Sequence, residues 1–310
     1  MVAAMGSRKA SVWRRPPDRV LRPPMARRSG FAVLTVMLAV SQIWSISAGM
    51  AAPASEGPRH VVSVNLCADE LVLRLADRDQ VAAVTYLAHD PRGSTVARAA
   101  MGIAVTRGLS EEIVALRPDL VVAGAFTTRT TVGLLKRVGF PLLELGVPND
   151  FEGVRAQIRT AAAALGHPAR GEAMVADLNA RLAQVVPAAK PLRALVMRPN
   201  AFTVAPGSLG DAIIRAAGLV NVAAELGRDR FGQVPVEAAA FADADLIVLD
   251  EGEPGRPSLA DTLLHYPVLD ALRRQGRTVS IPNRLWTCPG PQVAEVVALL
   301  AAAARERTEP

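Results

Sequence analysis

The chain has 310 residues, half of them hydrophobic, with a formal net charge of +6 and two cysteines. That length and apolar content hold one or two domains with a full core, which excludes a disordered chain and a small disulfide-held scaffold. The basic surplus suggests nucleic acid, but residues 1–52 hold eight of the 35 Lys/Arg and one of the 29 acids; the remaining 27 basic and 28 acidic residues balance, form no basic patch interleaved with aromatics, and exclude that class.

Residues 1–52 are expected to be an export leader. Arg27-Arg28 precede an apolar run from Phe31 to Val40, and small residues at Ser47, Ala48, Gly49, Ala51 and Ala52 offer a cleavage site. The run is short for a bilayer, which takes about 20 apolar residues; a retained N-terminal anchor is the alternative. Met25 is a second candidate start. The general secretory route is favoured over twin-arginine export, because Phe31 stands one place later than the twin-arginine pattern prefers.

After a flexible start at 53–59, Val61–Val64 reads as a β-branched strand, and Asn65 to Leu75 turns into a helix. Val81–Val84 is a strand, 86–98 a polar loop and Leu109–Leu116 a short helix. Leu120–Ala123 is an uninterrupted apolar run of the kind buried in parallel sheets. Helix, strand and helix follow at Thr130–Val138, Pro141–Leu145 and Phe151–Leu165. A long helix is predicted from Pro168 to Val186. Proline stands in its first turn, Met174, Leu178, Leu182 and Val185 share one face, and Pro187 stops it. The strand–helix rhythm then restarts. Strands are predicted at Ala194–Met197, Asp245–Leu249 and Thr278–Ile281, with Phe202–Val204 extended. Helices are predicted at Leu209–Ala217, Val236–Phe241, Leu269–Arg274 and Val293–Ala304. The expected fold class is α/β: two doubly wound lobes with mainly parallel sheets, an N-terminal lobe over 53–166 and a C-terminal lobe over 191–310, joined by one long interlobe helix within 167–190. One pattern occurs in both halves. Glu111 leads through seven residues to Asp119-Leu120-Val121-Val122, and Glu237 leads at the same spacing to Asp245-Leu246-Ile247-Val248.

The chain lacks the Gly-Lys-Ser/Thr end of a phosphate loop, a Gly-x-Gly-x-x-Gly fingerprint, a Gly-x-Ser-x-Gly elbow and His-Glu-x-x-His. His60, His89, His167 and His265 have no metal-ligand spacing. Of nine aromatics beyond residue 52, Tyr86, Phe126, Phe202, Phe231 and Trp286 fall in loops or at strand ends. Loops at the carboxyl ends of strands form the ligand crevice of open α/β sheets. Aromatic planes there, with Arg107, Arg284, Asn200 and Asp90, suit a large flat ligand with polar edges. Cys67 and Cys288 lie in opposite halves, and three readings stay open: a disulfide across the lobes, thiolates that ligate a metal or its complex, or plain thiols.

At these residues the chain resembles the class III periplasmic solute-binding proteins, the cobalamin and ferric-siderophore receptors of ABC importers. The resemblance rests on residues 59–65 (Arg-His-Val-Val-Ser-Val-Asn), on residues 111–122 (Glu-Glu-Ile-Val-Ala-Leu-Arg-Pro-Asp-Leu-Val-Val), on the single mid-chain helix, and on residues 205–209 and 281–286. It implies a rigid interlobe helix, little closure, no enzymatic chemistry and no cofactor. It also implies a monomer that holds a metal chelate between its lobes and docks to a permease with its ATPase. Carried over by position, the ligand residues are Asn65, Cys67, Tyr86, His89, Arg107, Phe126, Asn200, Phe202, Phe231, Arg284 and Trp286, and the docking residues are Glu111 and Glu237. Arg107 and Gly124 stand near positions where cobalamin receptors carry tryptophan, and only Arg107 and Arg284 suggest the arginine pair of carboxylate or catecholate receptors. A binding protein of this fold serving signalling or chelate retention, and an exported α/β enzyme using Asp69, Glu70 or His89, are the alternatives.

Overall fold

A computed structural model describes residues 57–226, 232–251 and 262–308. The expected leader and Phe231 lie outside these residues. In the first half, β1 (Val61–Ser63), β2 (Val81–Thr85), β3 (Ala104–Thr106), β4 (Leu120–Gly124) and β5 (Leu142–Leu145) form an all-parallel sheet in the order β3-β2-β1-β4-β5. Its helices are α1 (Leu66–Leu75), α2 (Ala97–Ala100), α3 (Ser110–Leu116), α4 (Arg129–Val138) and α5 (Phe151–Ala164). After α6 (Pro168–Ala183), β6 (Arg193–Met197), β7 (Val220–Asn221), β8 (Leu246–Glu251) and β9 (Thr278–Pro282) form a second all-parallel sheet ordered β7-β6-β8-β9. It carries α7 (Leu209–Ala216), α8 (Val236–Phe241), α9 (Pro267–Arg274) and α10 (Val293–Thr308).

The buried apolar runs explain why the strands are parallel and central. Val61, Val62, Val121 and Val122 in the first sheet, and Leu195, Val196, Ile247 and Val248 in the second, are completely buried, so both faces of each sheet are covered. The repeated Glu-to-Asp pattern performs the same job in both halves. Asp119 accepts hydrogen bonds from the backbone N–H groups of Arg59 (2.7 Å) and His60 (2.8 Å), which lead into β1. Asp245 accepts from the N–H of Arg193 (2.9 Å), the first residue of β6. Each aspartate thus fixes the start of a neighbouring strand as its own strand, β4 or β8, begins.

The interlobe helix is shorter than its pattern suggests and is turned slightly. It ends at Ala183 with Gln184 as cap, because Val186 precedes Pro187 and the residue before a proline disfavours helical geometry. Its buried face is Gly171, Val175 and Leu178, with Met174, Leu182 and Val185 half-buried beside it. Gly171 lets α6 lie against α5; a Cβ at that position would stand 2.4 Å from the Cβ of Ala162. One apolar core runs from β1, β2 and α1 through α5 and α6 to β6, β8 and α10. Two edge strands, β3 and β7, carry no sequence signal, since three and two residues are too few to show a period.

Candidate functional site: a cleft at the carboxyl edges of both sheets

The carboxyl ends of the strands hold a cavity of about 530 Å³ walled from both halves. Phe126 follows β4, and Val147, Pro148 and Asn149 follow β5. From the other half come Arg198 after β6, Phe202, Asp250 at the end of β8, and Asn283, Trp286 and Thr287 after β9. Phe126 is 80% exposed and Trp286 only 9%, so one wall is an open aromatic face and the other a fixed one.

Trp286 is fixed by a buried carboxylate. Asp250, 0% exposed, accepts hydrogen bonds from Trp286 Nε1 (2.9 Å), Asn283 Nδ2 (3.0 Å) and Arg198 Nε (2.6 Å). The Arg198 guanidinium carbon lies 5.3 Å from the centre of the Trp286 ring, within cation–π range. A buried carboxylate is tolerated when it is paired and its remaining lone pairs are used; here both conditions hold. Arg198 and Asp250 cancel, so the polar side of the cavity is charge-balanced.

Two residues after this tryptophan, Cys288 forms a disulfide with Cys67, the second residue of α1, with Cα atoms 5.0 Å apart. Of the three readings of these cysteines, the disulfide is the one present, and no thiolate remains at Cys67 or Cys288 to ligate cargo. The bridge joins the start of the first half to the loop that carries Trp286.

A second concavity of about 450 Å³ lies farther along the first sheet's carboxyl edge, lined by Tyr86 after β2, Val105 and Arg107 from the end of β3, and Glu112. Glu112 accepts hydrogen bonds from the Arg107 backbone N–H (2.7 Å) and the Thr106 hydroxyl (2.8 Å). The Arg107 N–H, then the Thr106 hydroxyl, hold its carboxyl below the usual carboxylate range, so it is ionised at neutral pH.

The remaining sequence-derived positions are placed elsewhere. Asn65 caps α1, its Oδ1 accepting from the Cys67 N–H at 2.9 Å, and is committed to the backbone. His89 closes a short turn with Nε2 buried, and it lines neither concavity. Asn200 is exposed in a left-handed turn (φ 59°), while its neighbours Pro199 and Phe202 line the cavity. Arg284 lines a groove of about 900 Å³ beside α6, with Arg74, Arg98, Arg170 and Arg181, away from the cleft residues. Ion pairs such as Arg74–Glu70 (3.1 Å) and Arg170–Asp77 (2.8 Å) occupy much of that groove's charge. Glu111 and Glu237 are exposed in the first turns of α3 and α8. A helix leading into a strand of a parallel sheet runs antiparallel to it, so both glutamates lie toward the carboxyl edges.

Asp69 and Glu70, the acids of the enzyme alternative, serve structure. Asp69 accepts from the Thr85 N–H (3.1 Å), and Glu70 from the Thr95 N–H (2.7 Å). Burial pushes Asp69 up from 3.8 to about 6, against hydrogen bonds from Ser63 and Thr85 that lower it. Arg198, Asp250, Asn283 and Thr287 escaped the sequence reading. Arg198 and Asp250 each stand at the end of a buried apolar strand, where the crevice rule points.

Two parallel-sheet halves, an aromatic cavity between them and a helix connecting them define a bilobal binding protein. The family model described as "Periplasmic binding protein" matches residues 61–284. The chain belongs to this family of periplasmic binding proteins. A cobalamin-binding protein of Halobacterium salinarum is 25% identical over 266 residues, covering 81% of this chain and 70% of the relative. Among solved structures, the periplasmic heme-binding protein RhuT from Roseiflexus sp. RS-1 superposes with a TM-score of 0.68 at 24% identity, covering 82% of this chain and all of that one. The periplasmic vitamin B12-binding protein BtuF of Vibrio cholerae gives 0.61 at 16% identity, covering 82% and 99%. These two show likeness of fold. Among the described residues, no helix is long and apolar enough to cross a membrane and no cluster of three or more His, Cys, Asp or Glu residues could hold a metal ion.

Proposed function

We propose that this chain captures a metal chelate, a corrinoid or a ferric siderophore, in the cleft and delivers it to the permease of an ABC importer. The observation that carries the reading is the cavity of about 530 Å³ between Phe126 on one side and Phe202 and Trp286 on the other, with its charges balanced. Aromatic side chains lining one cavity bind a broad apolar ligand by area, and the few polar groups orient it. The name of the Halobacterium relative supports the corrinoid side of the proposal. Residues 1–52 act as the export leader, which puts the receptor in the periplasm. Glu111 and Glu237 dock one to each side of the permease, because paired exposed carboxylates steer encounter and set orientation.

Native mass spectrometry after incubation with cobalamin, cobinamide, haem and ferric hydroxamate, catecholate and citrate chelates tests the reading. Retention of one intact chelate per chain supports a receptor. Conversion of the chelate into a product, or no retained chelate from the whole panel, sinks it.

A further inference from the structure

The two concavities of the cleft edge differ in chemistry. In the order β3-β2-β1-β4-β5 the first-half wall of the main cavity stands at the β4 and β5 ends, and the Tyr86–Arg107 concavity at the β2 and β3 ends. Three strand spacings separate them, roughly 14 Å at ~4.8 Å each. A ligand about that broad would reach both concavities from one seat. The main cavity neutralises its own charges through Arg198 and Asp250. The edge concavity also holds one cation and one anion, and Arg107 attracts Glu112 across it, but the Arg107 guanidinium makes no hydrogen bond or ion pair among the described residues; the hydrogen bond between the two residues comes from the Arg107 backbone N–H. A donor fork and an ionised acceptor thus line the same space without a side-chain hydrogen bond between them.

We infer that Arg107 and Glu112 form an edge subsite that reads a peripheral carboxamide of the bound chelate. A primary carboxamide offers a carbonyl to the guanidinium and an N–H to the carboxylate, and so satisfies both. A carboxylate satisfies Arg107 but meets Glu112 with like charge. Tyr86 and Val105, both exposed, supply the apolar floor beneath it. The subsite rests on the chelate-receptor reading and narrows it: the cargo is a macrocycle decorated with amides rather than with carboxylates.

The test compares two corrinoids with one core. Cobinamide carries carboxamides at the ring periphery, and cobyrinic acid carries carboxylates there. Both are titrated into the wild-type protein and into Arg107→Ala, Arg107→Lys and Glu112→Gln. The subsite predicts that wild type prefers cobinamide by at least about tenfold, that Arg107→Ala weakens cobinamide roughly tenfold as expected for a lost charge-assisted hydrogen bond, and that Glu112→Gln narrows the preference. Arg107→Lys recovers part of the loss. Thermal melts guard against misfolding of Glu112→Gln, and the exposed Arg107 variants carry the test should it fail to fold. Equal or tighter binding of cobyrinic acid to wild type overturns the inference, as does unchanged cobinamide binding by Arg107→Ala. A loss on Arg107→Ala that is larger for cobyrinic acid than for cobinamide also overturns it, since Arg107 would then be reading an anion. If wild type binds neither corrinoid nor any other chelate, the receptor reading itself falls; if it binds cobinamide and the variants do so equally, only the subsite falls.

Discussion

Asp250 sets the geometry of the cleft because three donors converge on one buried carboxylate. Replacing Asp250 with Ala strands the Trp286 N–H and leaves Arg198 without its partner. The expected loss of stability is about 3 kcal/mol, toward the lower end for a broken buried pair because Arg198 is a third exposed. Urea unfolding checks the value, and a loss below about 1 kcal/mol would contradict this role. Asp69 gives a pH signature of opposite sign to that of the carboxylates held low. Its folded pKa, about 6, lies above its ordinary 3.8, so the native state holds a proton that the unfolded chain has released. Its contribution is therefore lost as pH rises from about 4 to about 6, a change of about 3 kcal/mol at most. Asp77, Glu112, Glu172, Asp211 and Glu225 are lowered and act in reverse, losing their contribution as pH falls. The difference between wild type and Asp69→Asn isolates the Asp69 effect: the variant should gain stability relative to wild type across pH 4 to 6. A flat difference would contradict it.

At the scale of elements, two connections join the halves beside the shared apolar core: α6, packed on α5 through Gly171, and the Cys67–Cys288 bridge. The disulfide closes a loop of 221 residues, for which the chain-entropy account gives about 5 kcal/mol. The Cys67→Ser/Cys288→Ser double variant is expected to lower the unfolding midpoint and to release bound chelate faster, because the loop bearing Trp286 is no longer tied to α1. Unchanged dissociation measured by stopped flow would show that the bridge serves stability alone. These elements also mark how far the sequence could be read. The central strands β4, β6 and β8 were legible because each holds a continuous buried apolar run, β1 because its valines are β-branched, and α6 because Pro168 starts it and Pro187 stops it. The edge strands β3 and β7 were not, being too short for a period to appear. For the site, the crevice rule reached Phe126, Phe202 and Trp286. It could not tell that Asn65 spends its side chain on a cap, that Arg284 turns toward the α6 groove, or that Asp250 underpins the cleft. Those depend on side-chain direction at the end of a strand, which spacing does not carry. Nor could spacing decide among the three fates of the cysteines, since their approach to 5.0 Å across 221 residues is a tertiary fact.

At the scale of the molecule, the proposed function puts capture and delivery on separate surfaces: cargo in the cleft, and docking at Glu111 and Glu237, which stand exposed on α3 and α8, one in each half. The Glu111→Ala/Glu237→Ala double variant should keep chelate affinity within about twofold and abolish uptake through the importer; normal uptake would end the docking assignment. The central claim, a chelate held in the cleft, is tested most directly by tryptophan fluorescence. Trp286 is the one tryptophan beyond residue 52, so a chain cleaved after the leader reports from the cleft wall alone. The account predicts saturable, one-to-one quenching by a corrinoid or ferric chelate, after absorbance correction, that weakens in Phe126→Ala and Phe202→Ala. Quenching that never saturates, or that the two alanine variants leave unchanged, would contradict a ligand seated between these walls.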